Sequence, residues 1–108
     1  MRYLHTMIRA ANLEQTLHFF VDQLGLVEAY RYENEAVRFT LVFLSAPADL
    51  DNAKTQQAPL VEITYNWDPE TYEGGRNFGH LAYQVDDIYH TCQQLLDRGV
   101  TLNRPPRD

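Results

Sequence analysis

The feature that most constrains the fold of this chain is an internal repeat with an offset of 75 residues. Each copy holds an alternating, strand-like stretch with a histidine, a helix-capping residue seven positions later, and a glycine where the helix ends. These residues are His5, Asn12 and Gly25 in the first copy and His80, Asp87 and Gly99 in the second. The repeat predicts an α+β protein built from two related modules.

The first module, residues 1–67, is predicted to run strand, helix and then three strands. Residues 2–10 alternate as a strand does, and Asn12 with Gln15 forms a capping box at the start of an amphipathic helix. The apolar stripe of this helix consists of Leu13, Leu17, Phe20, Val21 and Leu24. Three further strands are predicted, with Glu33 and Asn34 in the turn between the first two and an irregular loop before the third. The strands are 26–32, 37–45 and 60–67, and the loop is 46–59.

A linker at 68–76, rich in glycine and turn-forming residues, precedes the second module, residues 77–108. A strand is predicted at 77–85, and Asp86 or Asp87 caps a helix that ends at Gly99. The apolar stripe of that helix is Ile88, Cys92, Leu95 and Leu96. A complete second copy would place its own carboxylate, the equivalent of Glu62, about thirty residues past the last residue of the chain. We therefore expect either a fragment or a sheet that another chain completes, since an unpaired strand edge tends to recruit a partner.

Composition narrows the possible partners of this chain. It has 108 residues, a net charge of −6 and a pI near 5.0, which exclude an electrostatic footprint for nucleic acid or for an anionic membrane surface. Cys92 is the one cysteine, so no intrachain disulfide can form, as is typical of a reducing compartment. No apolar run is long enough for a membrane span or a signal peptide. The sequence predicts a cytoplasmic protein.

The strand at 61–67 places a carboxylate between apolar neighbours, which is costly unless a cation meets it. Its alternation puts Val61, Ile63 and Tyr65 towards a core and Glu62, Thr64 and Asn66 on the other side. His5, Glu62 and His80 all fall on the polar sides of predicted strands, together with Arg9, Asn66 and Gln84. A polar face on several strands predicts a cleft rather than a dry core. Two imidazoles and a carboxylate are ligands that suit Zn, Ni, Co or Fe.

Simpler interpretations exist for each of these residues. A single strand histidine is more often hydrogen-bonded or half-exposed than a metal ligand, and Glu62 alone can be an edge-strand charge facing water. Arg9 can be an ordinary ion-pair partner or a fork that binds a substrate carboxylate. His18 and His90 are interpreted as surface residues, and Cys92 as part of the core.

Three separated motifs of this chain resemble lactoylglutathione lyase, or glyoxalase I, of the vicinal-oxygen-chelate superfamily. They are Leu4-His5-Thr6-Met7-Ile8-Arg9, Glu62-Ile63-Thr64-Tyr65-Asn66-Trp67 and Gly79-His80-Leu81-Ala82, and the resemblance includes Tyr72 and Gly75 between them. The fold that the resemblance implies is a pair of βαβββ modules, of which the second is incomplete in this chain.

The resemblance implies that His5, Glu62 and His80 are metal ligands and that Glu62 also acts in catalysis. It implies nickel or cobalt, with zinc as the other choice, and a fourth ligand, a glutamate, from a strand beyond this chain. It further implies that Arg9, Asn66, Arg76 and His80 contact the glutathione substrate. The implied reaction isomerises the hemithioacetal of methylglyoxal and glutathione to S-lactoylglutathione, a methylglyoxal detoxification, in sites at a homodimer interface. Two alternatives stay open, an extradiol-type dioxygenase of the same superfamily and a non-catalytic small-molecule-binding module.

Overall fold

The computed structural model describes all 108 residues, Met1 to Asp108. The chain forms two compact units, Met1–Tyr72 and Glu73–Asp108. The boundary between the units falls within the predicted linker 68–76.

The first unit is a four-stranded mixed sheet with helices. Its strands are β1 (His5–Arg9), β2 (Val27–Asn34), β3 (Phe39–Ser45) and β4 (Leu60–Asn66), in the spatial order β1-β4-β3-β2. β1 is parallel to β4, and the other neighbouring pairs are antiparallel. The strand, helix and three-strand order is as predicted, and the α+β class is confirmed.

The first helix begins where the sequence predicts. The side chain of Asn12 accepts a hydrogen bond of 3.0 Å from the backbone N–H of Gln15, which satisfies one of the free donors of the first turn. The helix α1 (Leu13–Leu17) continues as a π-helical segment, His18–Gln23. The chain then leaves the helix at Gly25, whose φ of 94° lies in the left-handed region that glycine adopts without strain. The apolar stripe in the sequence did not indicate this change from α-helical to π-helical geometry.

Two predictions for the middle of the chain are wrong. The β2–β3 turn lies at residues 35–38 rather than at Glu33 and Asn34, because the Asn34 carboxamide oxygen accepts from the Val37 N–H and Arg38 takes a left-handed φ of 64°. The predicted loop 46–59 contains a 3-10 turn (Pro47–Asp49) and a helix, α2 (Leu50–Gln56). Only Ala53 of α2 is fully buried, so this helix has no apolar stripe that a search for periodicity could detect.

The core of the first unit lies along the two central strands. Val42, Leu44 and Ile63 are 0%, 1% and 0% exposed, which confirms that Ile63 faces the core. A second cluster joins Phe43, Leu60 and Ala53, so α2 packs against one part of the sheet face that carries Phe43. Leu13 and Leu17 of α1 border a groove together with Arg31 and Tyr65, which places α1 on the opposite side of the sheet.

The second unit contains one helix, α3 (Ile88–Asp97). Its start is as predicted, because the Asp87 carboxylate accepts from the N–H groups of Tyr89 and His90 at 3.0 and 3.1 Å. The predicted strand at 77–85 is wrong: this segment has no strand pairing. Alternation in a sequence shows which side chains suit a sheet face, but a strand also needs a neighbour for its backbone hydrogen bonds. Neither unit has a helix long and apolar enough to cross a membrane.

Candidate metal and substrate site

The register of the sheet brings the polar residues of β1 and β4 onto one face. Cα partners across β1 and β4 are His5 with Leu60, Met7 with Glu62, and Arg9 with Thr64. Because paired residues of neighbouring strands point to the same side, these residues share a face with Phe43, the β3 partner of Glu62, and with Tyr30, the β2 partner of Phe43. We call this the cleft face. The members that concern the site are His5, Met7, Arg9, Tyr30, Phe43, Glu62, Thr64 and Asn66.

His5 and Glu62 are the central pair of the cleft face. The His5 Nε2 atom lies 3.6 Å from Glu62 Oε1, and the two side chains are 34% and 13% exposed. This separation is longer than a hydrogen bond, so the two atoms face each other without being joined by one. The other carboxylate oxygen, Glu62 Oε2, accepts a hydrogen bond of 3.1 Å from the hydroxyl of Thr64.

Aromatic side chains form the wall of the site beside this pair. The Phe43 ring meets the His5 ring edge to face at a centroid distance of 5.4 Å, and it stacks on the Tyr30 ring at 4.4 Å. Burial raises the pKa of the Tyr30 phenol above its usual 10.0, and the nearby negative charge of Glu62 adds to the effect. The carboxylate therefore lies among groups that restrict its contact with water.

The predicted substrate residues of the first unit lie on the same face. Arg9 is exposed, and the ion pairs of the chain join other residues. The interpretation of Arg9 as an ordinary ion-pair partner within this chain is therefore wrong. The Asn66 side-chain amide donates to the Tyr72 hydroxyl at 3.2 Å, and that hydroxyl donates to Glu70 at 3.3 Å. Asn66 is thus held in one orientation, while the guanidinium of Arg9 is available to a ligand.

The remaining predicted residues, Arg76 and His80, belong to the second unit. Both are exposed and lie in irregular segments. No group of three or more His, Cys, Asp or Glu side chains stands close enough together to hold a metal ion. The structure thus brings together two of the three predicted ligands, His5 and Glu62. The role of His80 stays a prediction.

Sequence reasoning identified the charged residues of the site but missed Thr64, Phe43 and Tyr30 as members of it. The Thr64 signal was present, because a hydroxyl two residues after Glu62 lies on the same face of a strand. Phe43 and Tyr30 could not be found from the sequence, because only the pairing of β2, β3 and β4 places them beside Glu62.

The fold and the site together indicate the class of this protein. It is an α+β protein whose βαβββ unit carries a histidine and a glutamate side by side on its cleft face. Residues 2–108 match the profile of the glyoxalase/bleomycin resistance protein/dioxygenase superfamily. The chain belongs to this superfamily.

Curated relatives and a solved structure narrow the similarity. The chain is 37% identical to the probable lactoylglutathione lyase of Synechocystis sp., covering 95% of this chain and 74% of that protein. It is 38% identical to the lactoylglutathione lyase of Neisseria meningitidis serogroup A, covering 96% of this chain and 71% of that protein. The trypanothione-dependent glyoxalase I of Leishmania major superposes with a TM-score of 0.82 at 26% identity, covering 99% of this chain and 73% of that one. These similarities confirm the predicted membership in the lactoylglutathione lyase family of enzymes.

Proposed function

We propose that this protein isomerises the hemithioacetal of methylglyoxal and glutathione to S-lactoylglutathione, in the cytoplasm and with a bound divalent metal. The observation that carries the proposal is the His5–Glu62 pair, an imidazole and a carboxylate that face each other on the cleft face. The family of the chain supports the reaction, since its curated relatives carry the name lactoylglutathione lyase.

The donor atoms present fit a divalent metal. Two neighbouring ligands that are each about 2.0–2.2 Å from an ion lie about 2.8 Å apart at a right angle and up to about 3.6 Å apart at a tetrahedral angle. The observed separation of His5 Nε2 and Glu62 Oε1, 3.6 Å, falls at the upper end of this range. His5 and Glu62 would hold the ion, with His80 as a third ligand. A metal bound there would supply a Lewis acid that stabilises negative charge developing on the substrate oxygens. Nickel or cobalt is the proposed metal, with zinc as the other choice.

The residues of the chain itself would do the proton transfer. The reaction moves a hydrogen between adjacent carbons, which needs a base to remove a proton from one carbon and return it to the next. Glu62 is the carboxylate available for this step on the cleft face. Phe43 and Tyr30 pack beside it and limit the access of water, which favours the return of a proton from Glu62 to the substrate over its exchange with solvent.

The glutathione part of the substrate is anionic, and the protein has a net charge of −6, so binding requires local cations. Arg9 has a free guanidinium on the cleft face, and Asn66 presents a side chain fixed by Tyr72. We propose that these two residues, with Arg76 and His80, bind the glutathione part. Arginine suits this role because its planar fork matches a carboxylate.

We also propose that the protein acts as a homodimer with active sites built from both chains. The support within the first unit is β1, an edge strand whose residues are exposed except for the half-buried Ile8. The backbone of β1 uses Leu4 C=O and Ala10 N–H to bond β4, so by alternation the N–H and C=O groups of His5, Met7 and Arg9 point to the free edge. Such an edge is suited to pairing with another chain.

The test of this function is an assay of the purified chain with methylglyoxal, glutathione and added Ni²⁺, following the absorbance of the thioester product. We expect activity that chelation removes and that His5→Ala abolishes together with metal binding. The matched control is His18→Ala, since His18 pairs with Asp22 on an exposed helix surface and should not affect either property. Metal binding by the wild-type chain without thioester formation would contradict the reaction. Oxygen uptake with a catechol and Fe²⁺ would instead indicate a dioxygenase.

A further inference from the structure

We propose that Thr64 is a positioning residue that fixes the carboxylate of Glu62 so that Oε1, and not Oε2, is presented to His5 and to the metal. The inference rests on the proposed function, because it assigns a role within the same site. It goes beyond that function in naming a residue that neither binds the metal nor touches the substrate.

The geometry assigns different partners to the two oxygens of Glu62. Oε2 accepts the Thr64 hydroxyl at 3.1 Å, whereas Oε1 faces His5 Nε2 at 3.6 Å, beyond hydrogen-bonding distance. A hydroxyl that donates to an ionised carboxylate forms a charge-assisted bond, which is stronger than a bond between neutral groups. Oε2 is therefore held by the protein, and Oε1 keeps its lone pairs for another ligand.

Thr64 is suited to this task because its own position is fixed. It is 7% exposed, and its backbone oxygen accepts a hydrogen bond of 2.9 Å from the N–H of Ala10, which ties β4 to the end of β1. Its β-branched side chain has few rotamers on a strand. The hydroxyl thus approaches Glu62 from a rigid element, two residues further along the same face.

Glu62 needs such support, because a glutamate has three side-chain torsions and its carboxylate can otherwise turn. Each torsion left free must be ordered when a metal binds, which lowers the affinity. Groups that orient ligands in this manner typically change metal affinity by ten- to a hundredfold when they are removed.

The test compares Thr64→Val, which keeps the shape and removes the hydroxyl, with Thr64→Ser, which keeps the hydroxyl. Calorimetric titration with Ni²⁺ should show an affinity about tenfold or more lower for Thr64→Val, and affinity near wild type for Thr64→Ser. The matched control is Thr40→Val, another buried strand threonine, whose hydroxyl accepts from the indole N–H of Trp67 at 2.8 Å. Thr40→Val should lower thermal stability and leave the Ni²⁺ affinity unchanged.

A second measurement does not depend on the metal. In the metal-free protein, NMR couplings and relaxation of the Glu62 side chain should report one rotamer in wild type and Thr64→Ser, and rotamer averaging in Thr64→Val. Unchanged order of Glu62 in Thr64→Val, or unchanged Ni²⁺ affinity, would overturn the proposal. If wild type binds no metal while Glu62 still loses its order in Thr64→Val, the proposed function fails and the positioning role stands.

Discussion

At the scale of single residues, the cleft face combines side chains that the fold holds in place with one that it leaves free. Glu62 is 13% exposed and contacts Thr64, while Arg9 is exposed and forms no ion pair in this chain. A held carboxylate suits chemistry that needs fixed geometry, and a free cation suits the capture of a charged ligand. Substitutions at these two kinds of position should therefore affect different measurements.

Arg9→Ala should raise the KM for the glutathione hemithioacetal about tenfold or more and leave the Ni²⁺ affinity unchanged, because a hydrogen bond to a charged group contributes about 1.5–3 kcal/mol. Steady-state kinetics and calorimetry check the two parts. The control is Arg31→Ala, since Arg31 pairs with Glu28 and points away from the cleft face. An unchanged KM in Arg9→Ala would remove Arg9 from the substrate site.

Tyr30 gives a pH-dependent prediction for the metal-free protein. Its folded pKa is raised above 10.0 by burial and by the charge of Glu62, so above pH 10 the unfolded chain loses this proton before the folded one does. The contribution of the Tyr30 phenol to the stability of the fold should therefore be fully present below pH 10. It should be lost as the pH rises through the folded pKa. Urea denaturation at several alkaline pH values measures this fall. Tyr30→Phe should make it smaller, and an equally steep fall in that variant would assign the effect to other groups.

At the scale of elements, the sequence predicted the two helices that begin with a capping residue, α1 and α3. It missed helix α2, which has only one fully buried residue. Asn12 and Asp87 start their helices as predicted, because a side chain that accepts a backbone N–H is a local signal. Helix α2 has one fully buried residue, Ala53, which packs with Phe43 and Leu60. This helix supports the aromatic wall of the site, although nothing periodic in its sequence indicates it.

Ala53→Leu should therefore destabilise the first unit by about 1–3 kcal/mol, because added methylenes have no space at a position that is 0% exposed. Urea denaturation measures the change. Asn52→Ala, at the exposed neighbouring position, is the control and should change stability by about 0.5 kcal/mol or less. A neutral Ala53→Leu would mean that α2 can move away from the sheet without cost.

At the scale of the whole molecule, the sheet of the first unit ends at β1 with an open row of backbone groups. The apolar side chains of Met7 and Leu4 beside this edge are 41% and 40% exposed. A strand from a second chain could cover them. Proline is tolerated on an edge strand where its missing N–H would face solvent, but it blocks pairing on that side.

Met7→Pro should shift a concentration-dependent dimer towards monomer, while Met7→Leu should not, because only the first removes an N–H that points to the free edge. Sedimentation measures the dissociation constants, and far-UV circular dichroism verifies that the variant keeps the secondary-structure content of wild type. A wild-type chain that stays monomeric at high concentration would contradict the homodimer, and a Met7→Pro dimer of unchanged affinity would place the interface elsewhere.

The sequence by itself determined the α+β class, the order of the four strands and the first helix, and the face on which Glu62 lies. These are local properties, since period-two alternation and capping residues act over a few positions. The family was likewise accessible from the motifs around His5, Glu62 and His80.

Only the tertiary structure decided which neighbours those residues have. The parallel pairing of β1 with β4 sets His5 beside Glu62, and the β2–β3–β4 register sets Phe43 and Tyr30 next to them. Segment 77–85 is a second example, because its sequence alternates like a strand but it forms no strand and has no pairing partner in the second unit. Contacts between residues far apart in the chain depend on register and pairing, and a sequence pattern specifies neither.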